Sequence, residues 1–314
     1  MASKVPAKVQ EIQEYCKKPV PRVKNISFSQ LSMYLNCPKC WERSYVRKEM
    51  VYEPSIHTCF GTAFHETLQG WLTVLYNSTV KAANEQDLPK ILEENLKKCY
   101  KAERLKVEKD FTTSETLNEF YQDGVAILDY IVKNRKSLFP STKTTWLVGC
   151  EVPILIELKP KFYFKGYIDL LTYEEDRDVW KIWDIKTSTS SWSPETKKDK
   201  IKTSQIIYYR EYLSKQFNIP VDKIEIEYFI VKRKINENAE YASMRRRVQE
   251  FVPNSGPRIT KQCLENLENF CTDVLGENGE YLDKEYQACP SEKHCKFCVY
   301  RQSCSHAFKR VTLV

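Results

Sequence analysis

Three short stretches hold residues whose types and spacing could do chemistry. The first is Asp184-Ile185-Lys186, preceded in the chain by Gly166-Tyr167-Ile168-Asp169. Side chains alternate along an extended strand, so Asp184 and Lys186 project from one face. Two carboxylates beside a lysine offer oxygen ligands to a hard divalent cation such as Mg²⁺ or Mn²⁺. The lysine can orient or deprotonate a water and stabilise negative charge developing on a phosphate. A lone D-x-K triplet is common and equally describes an ion pair on a surface hairpin, so its surroundings decide. The second stretch is Cys295-x₂-Cys298-x₅-Cys304. A thiolate cage of this kind holds an iron–sulfur cluster or zinc. Three close cysteines need a fourth, and Cys37 and Cys40 of Cys-Pro-Lys-Cys compete for that place with the nearby Cys289. The third stretch carries Gln205 and Tyr209, four residues apart and therefore on one helical face.

The elements that must position these groups are legible around them. Phe162, Phe164 and Ile168, then Val179 to Ile185, read as two strands of a hairpin, with the polar run Glu174 to Asp178 as its turn. A strand spanning WLVGCEVPILIEL precedes them and carries Glu151, which ranks below the two aspartates as a ligand. Phe64, Leu68, Trp71, Leu72 and Leu75 mark an amphipathic helix with His65 at the edge of its apolar stripe. Gly61 stands four residues before that histidine, while His57 is expected to lie before the helix begins. Ser27 or Ser29 can cap a helix carrying Leu31, Tyr34 and Leu35, which runs straight into Cys37. Two helices fill 81–139: Leu88 to Lys109 is heavily charged and reads as a solvated face, while Leu117, Phe120, Tyr121, Ile127, Leu128 and Ile131 form an apolar face. A strand with alternating character spans Lys223 to Lys232, and Arg245 to Arg247 could touch a phosphate backbone. Ile259 to Leu275 reads as a helix. Cys16, Cys59, Cys99, Cys150, Cys263 and Cys271 stand alone and read as buried small hydrophobes.

Composition bounds the function. The chain has 314 residues, 42% of them hydrophobic, enough for a sizeable core. No run approaches the 18 or so apolar residues of a membrane span, and the N-terminus lacks the apolar segment of a secretory signal. A formal charge of +7 favours a polyanionic partner. Twelve cysteines without an export signal point to metal binding or catalysis rather than disulfides. The chain has 8 glycines and no G-x-x-x-x-G-K-[ST], which excludes a P-loop motor.

A helical histidine (His65), a G-x-I-D strand ending at Asp169, the D-x-K-T strand Asp184 to Thr187, the Q-x-x-x-Y pair and the cysteines follow one another in this order from Cys37 to Cys304. That series resembles the PD-(D/E)XK nuclease superfamily in its RecB-like exonuclease branch. The branch includes the nuclease domains of RecB and AddB, the CRISPR-associated exonucleases and phage-encoded enzymes. The resemblance implies an α/β restriction-endonuclease-like core, a mixed central sheet flanked by helices, with a helical insertion and an iron–sulfur-stapled C-terminus. It implies that His65, Asp169, Asp184 and the Ile185 backbone carbonyl bind Mg²⁺ or Mn²⁺, and that Lys186 positions the attacking water. Gln205 and Tyr209 would hold the DNA strand or the lysine. Cys37 would complete a 4Fe–4S site with Cys295, Cys298 and Cys304, zinc being the alternative, and the cluster would serve shape rather than redox work.

The expected activity is exonucleolytic hydrolysis of DNA, at ends or on single strands, in recombination, repair or phage DNA processing. The alternative is a non-catalytic or partner-dependent DNA-binding subunit, and a helicase, recombinase or integrase could act with it in trans. No membrane is implied, and the expected location is the cytoplasm of a bacterial, archaeal or phage-infected cell. The expected organisation is a loose basic arm (1–25), N-terminal helices (26–80), a helical insertion (81–145), the core sheet and helix (146–258), and a C-terminal helix with the cysteines (259–314).

Overall fold

The computed structural model describes residues 5–49 and 52–308. Its centre is a six-stranded mixed sheet: β1 (Lys24–Ile26), β2 (Thr145–Lys159), β3 (Phe162–Glu174), β4 (Val179–Ser188), β5 (Ile224–Lys232) and β6 (Val248–Phe251). β3 lies at the middle. It pairs with β2 and β4 antiparallel and with β1 parallel, and β4 continues to β5 in parallel and then to β6 antiparallel. The expected hairpin is thus β3–β4, and its polar turn lies between them. The parallel β4–β5 step needs a crossover, which the helix Gln205–Phe217 supplies.

Both faces of the sheet are covered. On one side Phe164, Ile168, Ile182, Tyr228 and Ile230 pack with Tyr208, Tyr212 and Leu213 of the crossover helix. On the other, Leu170, Trp183, Ile185 and Phe229 pack with Phe60, Phe64, Leu68 and Leu72 of the helix Ile56–Asn77. That second layer extends into the insertion, where Leu88–Val107 and Ser114–Lys133 bury Leu92, Leu96, Ile127 and Ile131. Coverage on both sides explains a departure from expectation. β5 is buried at eight of its nine positions instead of alternating, as a strand inside an α/β sandwich must be.

Two further expectations change. The first 25 residues are not a loose arm throughout: Ala7–Cys16 is a helix that buries Val9 and Ile12 completely against the sheet, and Lys24–Ile26 adds the strand β1. Two apolar residues three apart suffice to seat a polar helix on a core. His57 is also not outside its helix but in the first turn, after the cap Ser55, with its ring edge-on to Phe120 at 5.1 Å. Among the described residues, no helix is long and apolar enough to cross a membrane.

Candidate active site

The site forms where β3 and β4 part. Registered pairing of the two strands stops at Leu170 with Trp183. One step further, Asp169 Oδ2 accepts the backbone N–H of Ile185 at 2.6 Å, so a carboxylate takes the place of a ladder carbonyl. On the other flank of β3, Glu151 stands across from Asp169, between the registered pairs Cys150–Leu170 and Val152–Ile168. Glu151 has φ 52°, a left-handed conformation that costs a non-glycine residue about 1 kcal/mol or more and is tolerated where function demands it.

The helix Ile56–Asn77 lays His65 over this point. It approaches β4 closely at Gly61, where a Cβ would lie 3.2 Å from Thr187 Oγ1. His65 Nδ1 is 3.9 Å from Asp169 Oδ1. One ligand atom each of His65, Glu151 and Asp169 lies within 4.8 Å of the others, the only such group of three among the described residues. One turn along the helix, Gln69 Nε2 donates to Glu151 Oε1 at 2.8 Å and to the Asp169 carbonyl at 2.9 Å.

The lysine half adjoins it. Lys186 Nζ lies 2.7 Å from Asp184 Oδ2 and donates to Gln205 Oε1 at 2.9 Å, and Gln205 Nε2 donates to the Tyr209 hydroxyl at 3.0 Å. Tyr209 lies over the G-x-I-D glycine: a Cβ on Gly166 would come within 2.6 Å of its ring. That glycine is required for close approach, not for an unusual backbone angle. Asp184 is 1% exposed. Lys186 meets it as an ion pair, and neither Asp184 oxygen has another partner.

Burial sets the electrostatics. Loss of water pushes Asp169 well above the usual carboxylate range, and the Asp184 charge adds to this. Asp184 is also raised by burial, with Lys186 opposing. Burial pulls Lys186 down, but the two aspartates outweigh it and hold the ammonium above its ordinary value. Burial and mutual repulsion therefore disfavour two charged carboxylates here, and the Lys186 ammonium offsets the charge on Asp184. Burial, then the Lys186 charge, lowers His65 to about 4, so at neutral pH its ring nitrogens are uncharged and one is free to bind a cation.

The sequence-expected residues His65, Asp169, Asp184, Ile185, Lys186, Gln205 and Tyr209 thus converge. Glu151 belongs closer to the centre than its rank implied, and Gln69 was missed. Its signal was its position four residues after His65 on one helical face. The donor set suits a hard cation: carboxylates, a neutral imidazole and buried Asp184 oxygens lacking hydrogen bonds.

The cysteines gather about a cavity of about 640 Å³ that opens beside Lys186 and Gln205. Cys37, Cys40, Cys289, Cys295, Cys298 and Cys304 all line it. Cys40 Sγ and Cys298 Sγ are 3.9 Å apart, and Cys37 Sγ accepts the Cys289 N–H at 3.4 Å. The ends of the chain are therefore together, as a shared metal would require. Among the isolated cysteines, Cys59, Cys263 and Cys271 are buried, and Cys16, Cys99 and Cys150 partly so.

A carboxylate–lysine site at the fork of a mixed sheet, approached by a histidine helix and a crossover glutamine, defines a metal-dependent nuclease core. Residues 25–305 match the family model of the PD-(D/E)XK nuclease superfamily, and the chain belongs to that superfamily. No curated protein matches the chain. Solved structures that resemble it include the following two. One is a protein from Eubacterium rectale named "Putative exonuclease", at 12% identity, covering 99% of this chain and 97% of its own, with a TM-score of 0.49. The other is the protein SSO0001, at 11% identity, covering 96% of each chain, with a TM-score of 0.37.

Proposed function

We propose that the protein is an Mg²⁺- or Mn²⁺-dependent exonuclease that hydrolyses phosphodiester bonds at DNA ends or on single strands, as in recombination, repair or phage DNA processing. The observation that carries this reading is Lys186, held between Asp184 and Gln205 beside the His65–Glu151–Asp169 group. His65, Asp169, Asp184 and the Ile185 carbonyl would hold the cation, with Glu151 joining them. The cation supplies charge for the phosphate and lowers the pKa of a bound water.

Lys186 is charged and raised in pKa, so it acts as a donor that orients the water and stabilises the phosphorane charge, not as a base. Gln205 fixes the lysine, and Tyr209 fixes Gln205. Cys37, Cys295, Cys298 and Cys304 would hold a 4Fe–4S cluster that maintains the cavity wall. One observation favours mononuclear zinc instead. The 3.9 Å between Cys40 and Cys298 matches the edge, roughly 3.8 Å, of a thiolate tetrahedron at about 2.3 Å from the metal. A helicase, recombinase or integrase partner would supply the DNA ends.

Digestion of end-labelled linear and closed circular DNA with each metal tests the activity. Loss of linear DNA alone is expected. Asp184→Asn and Lys186→Gln should each lower the rate by about 10²–10³-fold or more while leaving the circular dichroism spectrum intact. Cutting of circles would replace the exonuclease reading with an endonuclease. Wild-type rates in both variants would refute the site.

A further inference from the structure

Six cations crowd the ends of β5 and β6: Lys232, Arg233, Lys234 and Arg245 to Arg247. Three of them are engaged. Arg233 Nη1 meets Asp123 at 2.6 Å, with its guanidinium 3.5 Å over the Phe120 ring. Lys234 pairs with Glu119 at 2.7 Å and with Asp123 at 3.1 Å. Arg247 pairs with Glu237 at 3.1 Å and donates to the Arg233 carbonyl at 2.9 Å. Lys232, Arg245 and Arg246 remain: their side chains make no hydrogen bond or close ion pair among the described residues, and Arg246 has only the more distant carboxylate of Glu250 acting on it.

Lys232 is the unusual one. It is 5% exposed, so its aliphatic stem is packed away, yet its ammonium is not among the fully buried polar atoms that lack a partner. The stem is inside and the tip touches solvent. Burial, Arg246 and Arg247 all push its pKa down, and no carboxylate opposes them. A lysine held this way costs stability unless an anion arrives to pair with it.

Its place in the sheet says which anion. Lys232 is the register partner of Ser188, two rungs beyond Lys186 with Ile230. Register partners face the same side, so Lys232 shares a face with Asp184 and Lys186, roughly 8 Å beyond the lysine at the C-terminal end of the strands. We propose that Lys232 and Arg246 form a subsite for a backbone phosphate of the DNA strand, about one phosphate along from the bond that Lys186 faces. The proposal rests on the nuclease reading above, and it assigns the substrate-binding surface on the β5–β6 side of that site.

The test is single-stranded oligonucleotide binding across a salt series without divalent metal, paired with cleavage kinetics in Mn²⁺. Lys232→Met keeps the buried stem and removes the charge. Arg246→Gln changes an exposed side chain and cannot disturb the core. Each should weaken binding about 3- to 10-fold and lower the slope of log K against log salt by about 0.7, the value for one phosphate contact on a single strand. KM should rise with kcat unchanged, and Lys232→Arg should restore both. Unchanged slopes in Lys232→Met and Arg246→Gln, in a protein that still binds and cuts DNA, would overturn the subsite alone. A wild-type protein that neither binds nor cuts DNA would overturn the function and the subsite together.

Discussion

The carboxylate–lysine centre and the cysteine-lined cavity adjoin each other but are built on different principles. At the first, almost every polar group has a protein partner. Asp169 accepts from the Ile185 N–H, Glu151 accepts from Gln69, and Lys186 is held by Asp184 and Gln205. The groups stand on long strands and on a 22-residue helix. At the second, Cys40 and Cys295 sit in four-residue helical turns, Cys289, Cys298 and Cys304 lie outside any helix or strand, and among the described sulfurs of the cavity Cys40 and Cys298 approach each other, at 3.9 Å. A centre tied internally keeps its geometry before a ligand arrives. One built of loops takes its geometry from what it binds.

Losing the cysteine ligands should therefore have the largest effect, but a local one. Closing a loop of 258 residues through a cluster would stabilise the fold by about 5 kcal/mol if nothing else closed it. Something else does. Trp41 is fully buried against Tyr34, Tyr45, Phe270, Tyr281 and Tyr286, and Glu42, 2% exposed, accepts the Tyr286 N–H while pairing with Lys39 and Arg47. The metal would close only the short span from Tyr286 to the cysteines, worth about 2 kcal/mol at most, because Ser44 also bonds the Tyr300 hydroxyl at 2.9 Å and Arg43 bonds Ser303 at 3.0 Å. Cys37→Ser, Cys295→Ser, Cys298→Ser and Cys304→Ser should each abolish bound iron and the brown colour. They should expose 287–308 to protease while the rest of the chain stays folded. Cys289→Ser should retain the metal. Colourless wild-type protein with one zinc, sensitive to Cys40→Ser, would establish the tetrahedral site instead, and global unfolding would show that the Trp41 box does not hold the ends.

What the sequence revealed follows the same division. The hairpin, the histidine helix and the crossover helix were legible because apolar periodicity and turn chemistry are local signals; strand alternation put Asp184 and Lys186 on one face, and the G-x-I-D pattern of the resemblance singled out Asp169. Gln69 and the position of Glu151 were not, because both depend on which strand lies opposite which. The Glu151–Asp169 register is a property of the β2–β3 pairing. The N-terminal helix escaped notice because only Val9 and Ile12 mark it. The choice among Cys37, Cys40 and Cys289 stayed open because all three reach the same cavity, and spacing cannot rank residues that tertiary contacts bring together.

Gln69 gives a smaller and sharper test of internal support. Its amide spans Glu151 and the Asp169 backbone, so Gln69→Ala leaves Glu151 free to swing out. Removing a support of this kind typically costs 10- to 100-fold in metal affinity or activity. A metal titration of cleavage should shift to higher concentration by that factor, with most of the rate recovered at saturating Mn²⁺. If the titration curve does not move, the centre does not depend on this support, and the contrast with the cysteine cavity weakens.

The smallest effect is the pH dependence of metal stabilisation, and its sign follows from the upward shift of Asp169. Without metal, the folded pKa of Asp169 lies well above its unfolded value, because burial and Asp184 disfavour a second charge. The unfolded chain then loses this proton first as pH rises, so Asp169 lowers the stability of the metal-free fold from about pH 4 upward, until its folded pKa is passed. His65 behaves oppositely. Lowered to about 4 by burial and Lys186, it removes stability only as pH falls below about 6.5. A cation must displace the Asp169 proton, so its apparent affinity should climb by about one decade per pH unit through that window, roughly 1.4 kcal/mol of added stabilisation each time at excess metal. Thermal denaturation with and without Mg²⁺ should therefore show a metal-induced rise in Tm that grows with pH and then levels off. Asp169→Asn should flatten the dependence, whereas His57→Ala, in the first turn of the histidine helix about two turns before His65, should leave it unchanged. A Tm rise that is constant across pH would mean that Asp169 is ionised before the metal arrives, and that Lys186 neutralises both aspartates and not Asp184 alone.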